Sequence, residues 1–353
     1  MPTACMISFR LGGGDGVSVE AAKWASALRT LGWRVRTVAG SGPVDVLLPG
    51  LAIEASEPPT RAEVEDACAP GDLVVVENLC SLPLNPPAAA VVAGVCAGRP
   101  ALFHHHDLPW QRPKFAHLPP PPDDPAWAHV TINELSRLEL AARGITATTV
   151  YNAFDSDPTP GDRARTRAAL GLGIDEVVLL QPTRALERKN IGGALEFSAS
   201  VGATYWLLGP AEDGYGPELE RLVAAARCRV LQGPPLGGCS IADAYAASDA
   251  VLLPSFWEGF GNPSVESATY RRPLAIGPYP VAGELAAFGF RWFGVTDPAP
   301  LAAWLERRDD DLLAHNKSVA ASHFNLADQP ARLAGVLERA GVPGVSGKGV
   351  TSQ

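Results

Sequence analysis

The stretch that decides the fold is Ala250-Val-Leu-Leu-Pro254-Ser-Phe-Trp-Glu258-Gly-Phe-Gly261-Asn-Pro-Ser-Val-Glu266. It begins as a continuous apolar run, passes through a glycine loop that carries Glu258, and enters a helical pattern that carries Glu266. A buried strand that ends in a glycine loop opening a helix is a common place to hold a phosphorylated ligand. Since a carboxylate cannot neutralise phosphate, we expect the two glutamates to accept hydrogen bonds from sugar hydroxyls. The stretch therefore predicts a nucleotide-sugar site.

Apolar runs of strand length alternate with helical patterns along two consecutive series. The predicted strands of the first series are 4–9, 35–38, 44–48, 73–76, 101–103, 130–132 and 148–150, and those of the second are 177–181, 204–208, 229–231, 250–253, 274–276 and 291–295. A helix is predicted over 19–31, with Ser18 as its cap and Gly32 as its stop. Continuous apolar strands separated by helices predict parallel sheets covered on both faces. The turn-rich segment 155–173 is expected to connect two domains.

The composition limits the classes of function. The chain has 353 residues, 46% of them hydrophobic, and a net charge of −9 without a long basic run, so neither nucleic acid nor an anionic membrane is an expected partner. Its six cysteines form no C-x-x-C pair and are expected to be free thiols of a reducing compartment. No secretory signal pattern and no apolar run of about 20 residues is present, which predicts a cytoplasmic protein.

A second glycine loop, Gly12-Gly-Gly-Asp-Gly16, follows the first predicted strand. Residues without a side chain let backbone N–H groups approach a phosphate or a sugar closely. The spacing is not G-x-G-x-x-G, and no acidic residue clearly ends the second strand, which argues against a nicotinamide site. A plain tight turn is the alternative.

A third loop, Pro182-Thr-Arg184-Ala-Leu-Glu-Arg188-Lys189-Asn190, follows the first strand of the second series. Three cations ahead of a helix suit a diphosphate, and each charge-assisted contact contributes roughly 1.5–3 kcal/mol. An exposed charged turn is the alternative.

Three consecutive histidines, His104 to His106, precede Asp107 at the end of a predicted strand. A zinc site is one interpretation, although adjacent strand residues point to opposite faces and three consecutive histidines do not easily reach one ion. A satisfied structural cluster is another. A contact with the substrate is the third. Nearby, Trp110, Arg112 and Lys114 offer an aromatic platform and cations for an acceptor.

The segment from Glu258 to Glu266 resembles the E-x7-E motif of the family-4 glycosyltransferases, and Arg184 with Lys189 resembles their R-x4-K phosphate motif, except that Asn190 stands where the family often has glycine. The resemblance implies the GT-B fold, in which two doubly wound, Rossmann-like domains face a cleft. It implies an N-terminal acceptor-side domain at 1–152, a nucleotide-sugar domain at 153–325, a helix at about 326–341 that packs back on the first domain, and a disordered tail at 342–353.

The resemblance also implies roles for individual residues. The catalytic residues would be His106, Glu258, Arg184 and Lys189. The donor-binding residues would be Gly13, Gly14, Gly16, Arg184, Lys189, Gly209, Glu258, Gly259, Phe260, Gly261, Asn262 and Glu266. From their residue types and their position at or just after the histidine run, His105, Asp107, Trp110 and Arg112 are predicted to bind the acceptor. No metal or cofactor is expected, and the co-substrate would be a UDP- or GDP-sugar.

The sequence thus predicts a retaining glycosyltransferase that moves a sugar from a nucleoside-diphosphate donor to a small soluble acceptor. A GT-B sugar-nucleotide epimerase is the first alternative, and it would need no acceptor. An NAD-dependent oxidoreductase, a binding protein without activity and a lipid-acceptor transferase are weaker alternatives. The base, the sugar, the acceptor and the oligomeric state are not encoded in any motif.

Overall fold

The computed structural model describes residues 1–342, which form two α/β units. The first unit comprises Met1–Ala153 together with the described residues from Leu326 onward, and the second comprises Phe154–Asn325. The tail predicted at 342–353 lies outside the described residues, apart from Val342 itself. None of the helices within residues 1–342 is long and apolar enough to cross a membrane.

The first unit is built on a parallel sheet of seven strands. Its elements are, in chain order, β1 (Thr3–Arg10), α1 (Gly16–Thr30), β2 (Arg34–Ser41), β3 (Val46–Leu47), α2 (Arg61–Cys68), β4 (Leu73–Glu77), α3 (Pro86–Cys96), β5 (Ala101–His105), β6 (Trp127–Thr131), α4 (Glu134–Ala141) and β7 (Ala147–Thr149). The strand order is β3-β2-β1-β4-β5-β6-β7. Strands β4 and β5 are buried along their whole length, which is why they are continuous apolar or histidine runs rather than alternating ones.

The second unit repeats this plan with six parallel strands. Its elements are α5 (Arg163–Ala169), β8 (Val178–Gln181), α6 (Ile191–Ser200), β9 (Thr204–Leu207), α7 (Gly216–Ala224), β10 (Val230–Gln232), α8 (Ile241–Ala247), β11 (Ala250–Leu253), α9 (Pro263–Thr269), β12 (Leu274–Ile276), α10 (Pro280–Ala286), β13 (Phe293–Gly294), α11 (Ala299–Arg307) and α12 (Asp310–His323). The strand order is β10-β9-β8-β11-β12-β13. Every predicted strand of both series is confirmed within a few residues of its expected bounds.

The last helix, α13 (Gln329–Arg339), returns to the first unit. Its apolar residues Leu333, Val336 and Leu337 are buried in one core cluster with Trp24 and Leu28 of α1. The helix predicted at about 326–341 thus corresponds to α13, which packs on α1.

Each sheet reverses its strand order at one point, between β1 and β4 in the first unit and between β8 and β11 in the second. In open α/β sheets, ligands bind outside the carboxyl ends of the strands at such a switch point. The glycine loop follows β1, and Glu77 ends β4. In the second unit, the cationic loop follows β8, and the Glu258 loop follows β11. The strand order therefore places the predicted residues of each unit where a ligand site is expected.

Helix α1 begins three residues earlier than predicted, because Asp15 caps it rather than Ser18. The Asp15 carboxylate accepts hydrogen bonds from the Ser18 backbone N–H at 3.2 Å and from the Ser18 hydroxyl at 2.8 Å, and it lies 3.2 Å from Arg10. An aspartate and a serine are both good capping residues, and the pattern alone did not decide between them. The first turn of α1 consequently lies inside the glycine loop, at Gly16.

The segment 155–173 was expected to be a connection between domains, and this was wrong for most of its length. Its helix α5 is anchored within the second unit by Asp249, which lies directly before β11. Arg163 donates to Asp249 at 2.8 Å, and the buried Arg167 lies 3.4 Å from the same carboxylate. Gly161 packs so closely on Ala242 that an added Cβ would lie 2.2 Å from its carbonyl oxygen. The turn-rich composition thus reflects docking against α8 and not a free linker.

Candidate active site

Glu258 is the centre of a buried ionic cluster in the second unit. Its carboxylate accepts hydrogen bonds from the Lys189 ammonium group, from the Arg188 guanidinium at 2.8 Å and from the Ser255 hydroxyl at 2.5 Å. The residue is only 5% exposed, and Lys189 is 8% exposed. A buried charge is tolerated when it is paired with an opposite charge and hydrogen-bonded. Glu258 meets that condition through its two cationic partners and the Ser255 hydroxyl. The two predicted residues Glu258 and Lys189 are therefore brought together directly.

The charges of this cluster shift the pKa of both residues. Burial alone would raise the pKa of Glu258, but the positive charges of Lys189 and Arg188 outweigh it and lower that pKa to about 2. Burial lowers the pKa of Lys189 to about 8, against the opposing attraction of Glu258. At neutral pH the cluster therefore holds one carboxylate and two cations, which leaves an excess of positive charge for an anionic ligand.

The loops after β8 and β11 are tied together around this cluster. The Phe256 backbone N–H donates to the Arg188 carbonyl at 2.9 Å, and the Asn190 side-chain amide donates to the Pro254 carbonyl at 3.2 Å. Asn190 adopts a left-handed backbone with φ of 51°. Apart from glycine, asparagine is among the residues that adopt this conformation most readily. Asn190 therefore adopts a backbone conformation that glycine also adopts readily.

Arg184 lies in the same loop but outside the Glu258 cluster. Its guanidinium is 2.5 Å from the carboxylate of Glu212, and both side chains are partly exposed. Gly209 approaches this part of the loop so closely that an added Cβ would lie 2.8 Å from the Arg184 Cα. The glycine at 209 is thus required by packing against the Arg184 backbone, whatever else it contacts.

Glu266 is the fourth residue of α9, and it is oriented by a tyrosine. The Tyr245 hydroxyl of α8 donates to the Glu266 carboxylate at 2.9 Å. The Tyr245 side chain is fully buried and stacks on Tyr270 with the ring centroids 4.6 Å apart. Burial raises the pKa of the Tyr245 hydroxyl well above its usual value, so the hydroxyl keeps its proton and remains a donor. This contact fixes one carboxylate oxygen of Glu266.

Within the loop from Gly259 to Asn262, two residues have roles in the fold. Gly261 has a φ of +86°, and a Cβ there would lie 2.2 Å from the Tyr279 hydroxyl, so only glycine fits. The Phe260 side chain is buried near Phe154 and Phe324. The Phe260 side chain therefore belongs to the packing of the second unit. Asn262 is the N-cap of α9, and Glu266 lies in its first turn.

The glycine loop of the first unit contains two glycines that packing does not explain. Gly12 has a φ of +75°, and a Cβ there would lie 2.6 Å from Pro43, so the fold requires that glycine. A Cβ at Gly14 or at Gly16 would meet no atom within 4 Å, and one at Gly13 would meet only the side chains of Asp15 and Ser18. Neither backbone strain nor crowding demands glycine at these positions. The predicted close approach of a ligand to the backbone N–H groups is one physical reason for glycine at these positions.

The three histidines divide between the two faces of β5, as strand alternation requires. His104 and His106 lie on one face, and both contact Glu77 at the end of β4. The Glu77 carboxylate oxygen Oε2 lies 2.8 Å from His104 Nδ1 and 3.1 Å from His106 Nε2. Burial would raise the pKa of Glu77, but His104 and His106 lower it to about 2. These three side chains could also ligate a metal ion, but their spacings are those of direct hydrogen bonds.

His105, which was predicted to bind an acceptor, lies on the opposite face and contacts other side chains there. It is fully buried, with the Ser81 hydroxyl 2.6 Å from Nδ1 and His129 Nδ1 2.8 Å from Nε2. His129 continues the chain to Asp123 at 3.0 Å. Burial lowers the pKa of both imidazoles, so both are neutral at neutral pH. Both ring nitrogens of His105 therefore have protein partners in this structure.

The other predicted acceptor residues lie just after β5. The backbone N–H of Asp107 donates to the Asn78 side chain at 3.1 Å, and the Asp107 carboxylate is 3.4 Å from Arg112. The Trp110 indole N–H donates to Glu139 at 2.9 Å, and Arg143 covers the Trp110 ring at 3.6 Å from its centroid. One face of the predicted aromatic platform is therefore already occupied by a cation.

Sequence reasoning missed the partners that hold the predicted residues. These are Glu77, Tyr245, Ser255 and Glu212. Glu77 gave a usable signal, because a carboxylate directly after the apolar run Leu73–Val76 must lie at the carboxyl end of a buried strand. Tyr245 and Glu212 gave none, since only the packing of α8 and of the loop after β9 brings them to the site.

The known proteins most relevant to this geometry are glycosyltransferases. The chain is 25% identical to mannosylglucosylglycerate synthase of Petrotoga mobilis, over 81% of this chain and 84% of that protein. It is 24% identical to the Thermotoga maritima protein of the same name, and the match covers 96% of this chain and 99% of that protein. A D-inositol 3-phosphate glycosyltransferase of Actinosynnema mirum is 34% identical, but the match covers only 35% of this chain and 34% of that protein. No protein-family model matches the chain.

Solved structures share the fold at lower identity. HepE of Anabaena, in complex with UDP and glucose, superposes with a TM-score of 0.73 at 18% identity and covers 96% of this chain and 100% of that one. The sucrose-phosphate synthase of Thermosynechococcus elongatus superposes with a TM-score of 0.70 at 14% identity. The superposition covers 96% of this chain and 99% of that one. These likenesses establish the GT-B fold that the two switched parallel sheets indicated. The chain is a glycosyltransferase of the GT-B fold, and it is similar to the family-4 glycosyltransferases.

Proposed function

We propose that this glycosyltransferase moves a hexosyl group from a UDP- or GDP-sugar to a small anionic acceptor, with retention of the anomeric configuration. The observation that carries the donor assignment is the buried cluster of Lys189 and Arg188 around Glu258, at the switch point of the second sheet. A diphosphate is the group whose charge matches the excess of cations there. Retention and attack on the donor from the face of the leaving phosphate are carried over from the family.

The leaving diphosphate would be stabilised by cations rather than by a nucleophilic glutamate. Lys189 has three N–H donors, and Glu258 accepts from the ammonium group through one oxygen, so further N–H bonds can reach a phosphate. Arg184 would add a third cation from the same loop. Positive groups fixed where charge develops are the largest source of rate enhancement in many group transfers. Glu258, held by two cations and Ser255, keeps these donors in place and is our choice for contacting donor-sugar hydroxyls.

We propose the roles of the remaining residues from their positions in the fold. Glu266, held by Tyr245, would accept hydrogen bonds from the ribose hydroxyls. The glycines at 13, 14 and 16 would let backbone amides approach the donor, and His106 would contact the donor sugar at the reacting centre. Gly209, Gly259, Gly261 and Asn262, together with the Phe260 backbone, would complete the donor site.

The choice of a small anionic acceptor rests on two observations. The names of the similar proteins specify a glycerate derivative in two cases and inositol 3-phosphate in another, and both groups are anionic. In this chain Arg112 lies close to Asp107, directly after β5, where its guanidinium is a candidate partner for a carboxylate or phosphate. UDP is our first choice of nucleotide, because HepE, which shares the fold, binds UDP-glucose.

Calorimetric titration of the protein with UDP, GDP, ADP and NAD⁺ tests the donor assignment. We expect one nucleoside diphosphate to bind more tightly than the others, and Glu266→Ala to weaken that binding while the fold is retained. Binding of NAD⁺ alone, or unchanged affinity in Glu266→Ala, would contradict the proposal. Nucleotide release that depends on an added acceptor separates transfer from epimerisation, which needs none.

A further inference from the structure

Glu77 is a buried carboxylate with no role in the function proposed above. It ends β4, is completely buried, and directs Oε2 at two imidazoles, that of His104 in the neighbouring strand β5 and that of His106 directly after it. Its second oxygen, Oε1, is buried without a hydrogen-bond partner in residues 1–342. A buried carboxylate that keeps one oxygen unsatisfied is costly, which makes a purely structural role an expensive one.

The two imidazoles differ in what else they can reach. His104 is fully buried and stacks on Trp24 with the ring centroids 4.0 Å apart, so its other nitrogen faces protein. His106 retains 6% of its surface, and its Nδ1 has no hydrogen-bond partner among the described residues. His106 is therefore the member of the pair that can contact a ligand, whereas His104 serves to fix the carboxylate.

An ionised carboxylate only accepts hydrogen bonds, so the imidazole nitrogen that faces it must carry the proton. The nitrogen of His106 that faces Glu77 is Nε2, at 3.1 Å. We propose that Glu77 is a positioning residue that fixes His106 with its proton on Nε2, so that Nδ1 presents a lone pair to a substrate hydroxyl. Asn78 supports this arrangement, since its side-chain oxygen accepts the His106 backbone N–H at 3.0 Å and holds the end of the strand.

This inference rests on the proposed role of His106 at the reacting centre. It goes beyond that role by naming the nitrogen that acts and the residue that selects it. A neutral imidazole with the wrong nitrogen protonated would offer the substrate an N–H donor in place of an acceptor. Changing Glu77 is therefore expected to affect turnover and not the binding of the nucleotide.

The direct test is nitrogen-15 NMR of the histidine rings in the unsubstituted protein at neutral pH. The His106 signals are identified by their loss in His106→Gln. We expect Nε2 to carry the proton and Nδ1 to be unprotonated. A proton on Nδ1, or a metal ion in place of the proton on Nε2, would overturn the proposal without any variant of Glu77 having to fold.

The second test is the kinetics of Glu77→Gln, which keeps the shape but removes the charge. We expect kcat to fall by about 10–100-fold, the scale on which partners that orient a histidine act in metal sites, and UDP affinity to change less than twofold. Asp123→Asn is the matched control, because it removes the carboxylate from the His105–His129 chain on the other face of β5 and should leave kcat unchanged. Equal kcat in Glu77→Gln and the unsubstituted protein would refute the proposal.

A third variant separates this inference from the function on which it rests. If His106→Ala keeps full turnover, the role of His106 itself is wrong. If His106→Ala is inactive while Glu77→Gln is fully active, only the positioning role of Glu77 is wrong.

Discussion

The pairing of Lys189 with Glu258 predicts a large loss of stability when one partner is removed. In Lys189→Met, the buried Glu258 would keep only Arg188, at 2.8 Å, and the Ser255 hydroxyl, at 2.5 Å. Removing one member of a buried ion pair costs about 3–5 kcal/mol, and because Arg188 remains, we expect about 3 kcal/mol. The second change, Glu258→Gln, removes the uncompensated charge, so the double variant should recover at least about 2 kcal/mol of that loss.

Amide hydrogen exchange of β8 and β11 measures this loss within the second unit, since these strands flank the cluster. Arg221→Met is the matched control, because it breaks an exposed ion pair with Glu218 in the same unit and should change exchange little. Strictly additive effects of Lys189→Met and Glu258→Gln, or a loss below about 1 kcal/mol in the single variant, would refute the view that the two residues form one buried unit.

Three further predictions concern the donor site. Tyr245→Phe removes the hydroxyl that holds Glu266. We expect calorimetry to show the affinity for UDP reduced by about 10–150-fold, the size of one lost hydrogen bond to a charged group, and the affinity for uridine reduced equally. Unchanged affinity would contradict the orienting role. Arg184→Ala should lower the affinity for UDP by more than it lowers the affinity for uridine. Equal losses of affinity in titrations with the two ligands would exclude a contact between Arg184 and the phosphates. Burial lowers the pKa of Lys189 to about 8, so the ammonium charge that would bind phosphate is present below that pH and is lost above it. The affinity for UDP should therefore fall as the pH rises through about 8. Lys189→Met should abolish that pH dependence.

The fold could be predicted because its signals are local. Continuous apolar runs such as Ala250–Leu253 are typical of strands buried on both faces, and each is followed by a loop with a specific composition. The errors arose where two local choices were equally good. Asp15 and Ser18 are both capping residues, and the turn-rich segment around Gly161 looks like a linker until its contact with Ala242 is known.

The site could be predicted only as far as its motifs reach. The motif residues Glu258 and Lys189 were expected to act on different parts of the donor, and the structure pairs them with each other. Strand alternation predicted that the three histidines would separate, but not which face would carry a carboxylate. That depends on the register of β4 against β5, which places Glu77 opposite His104. Register between distant strands is a tertiary property that no local pattern encodes.

The central claim is that the chain transfers a sugar from a nucleotide donor with retention. Proton NMR of the products formed from UDP-glucose or GDP-mannose, with glycerate, glucosylglycerate or inositol phosphate as acceptor, tests it most directly. We predict that one donor and one acceptor together release the nucleoside diphosphate and give a glycoside whose first-formed anomer matches the donor. An inverted first product, or an epimerised free sugar formed without any acceptor, would contradict the account.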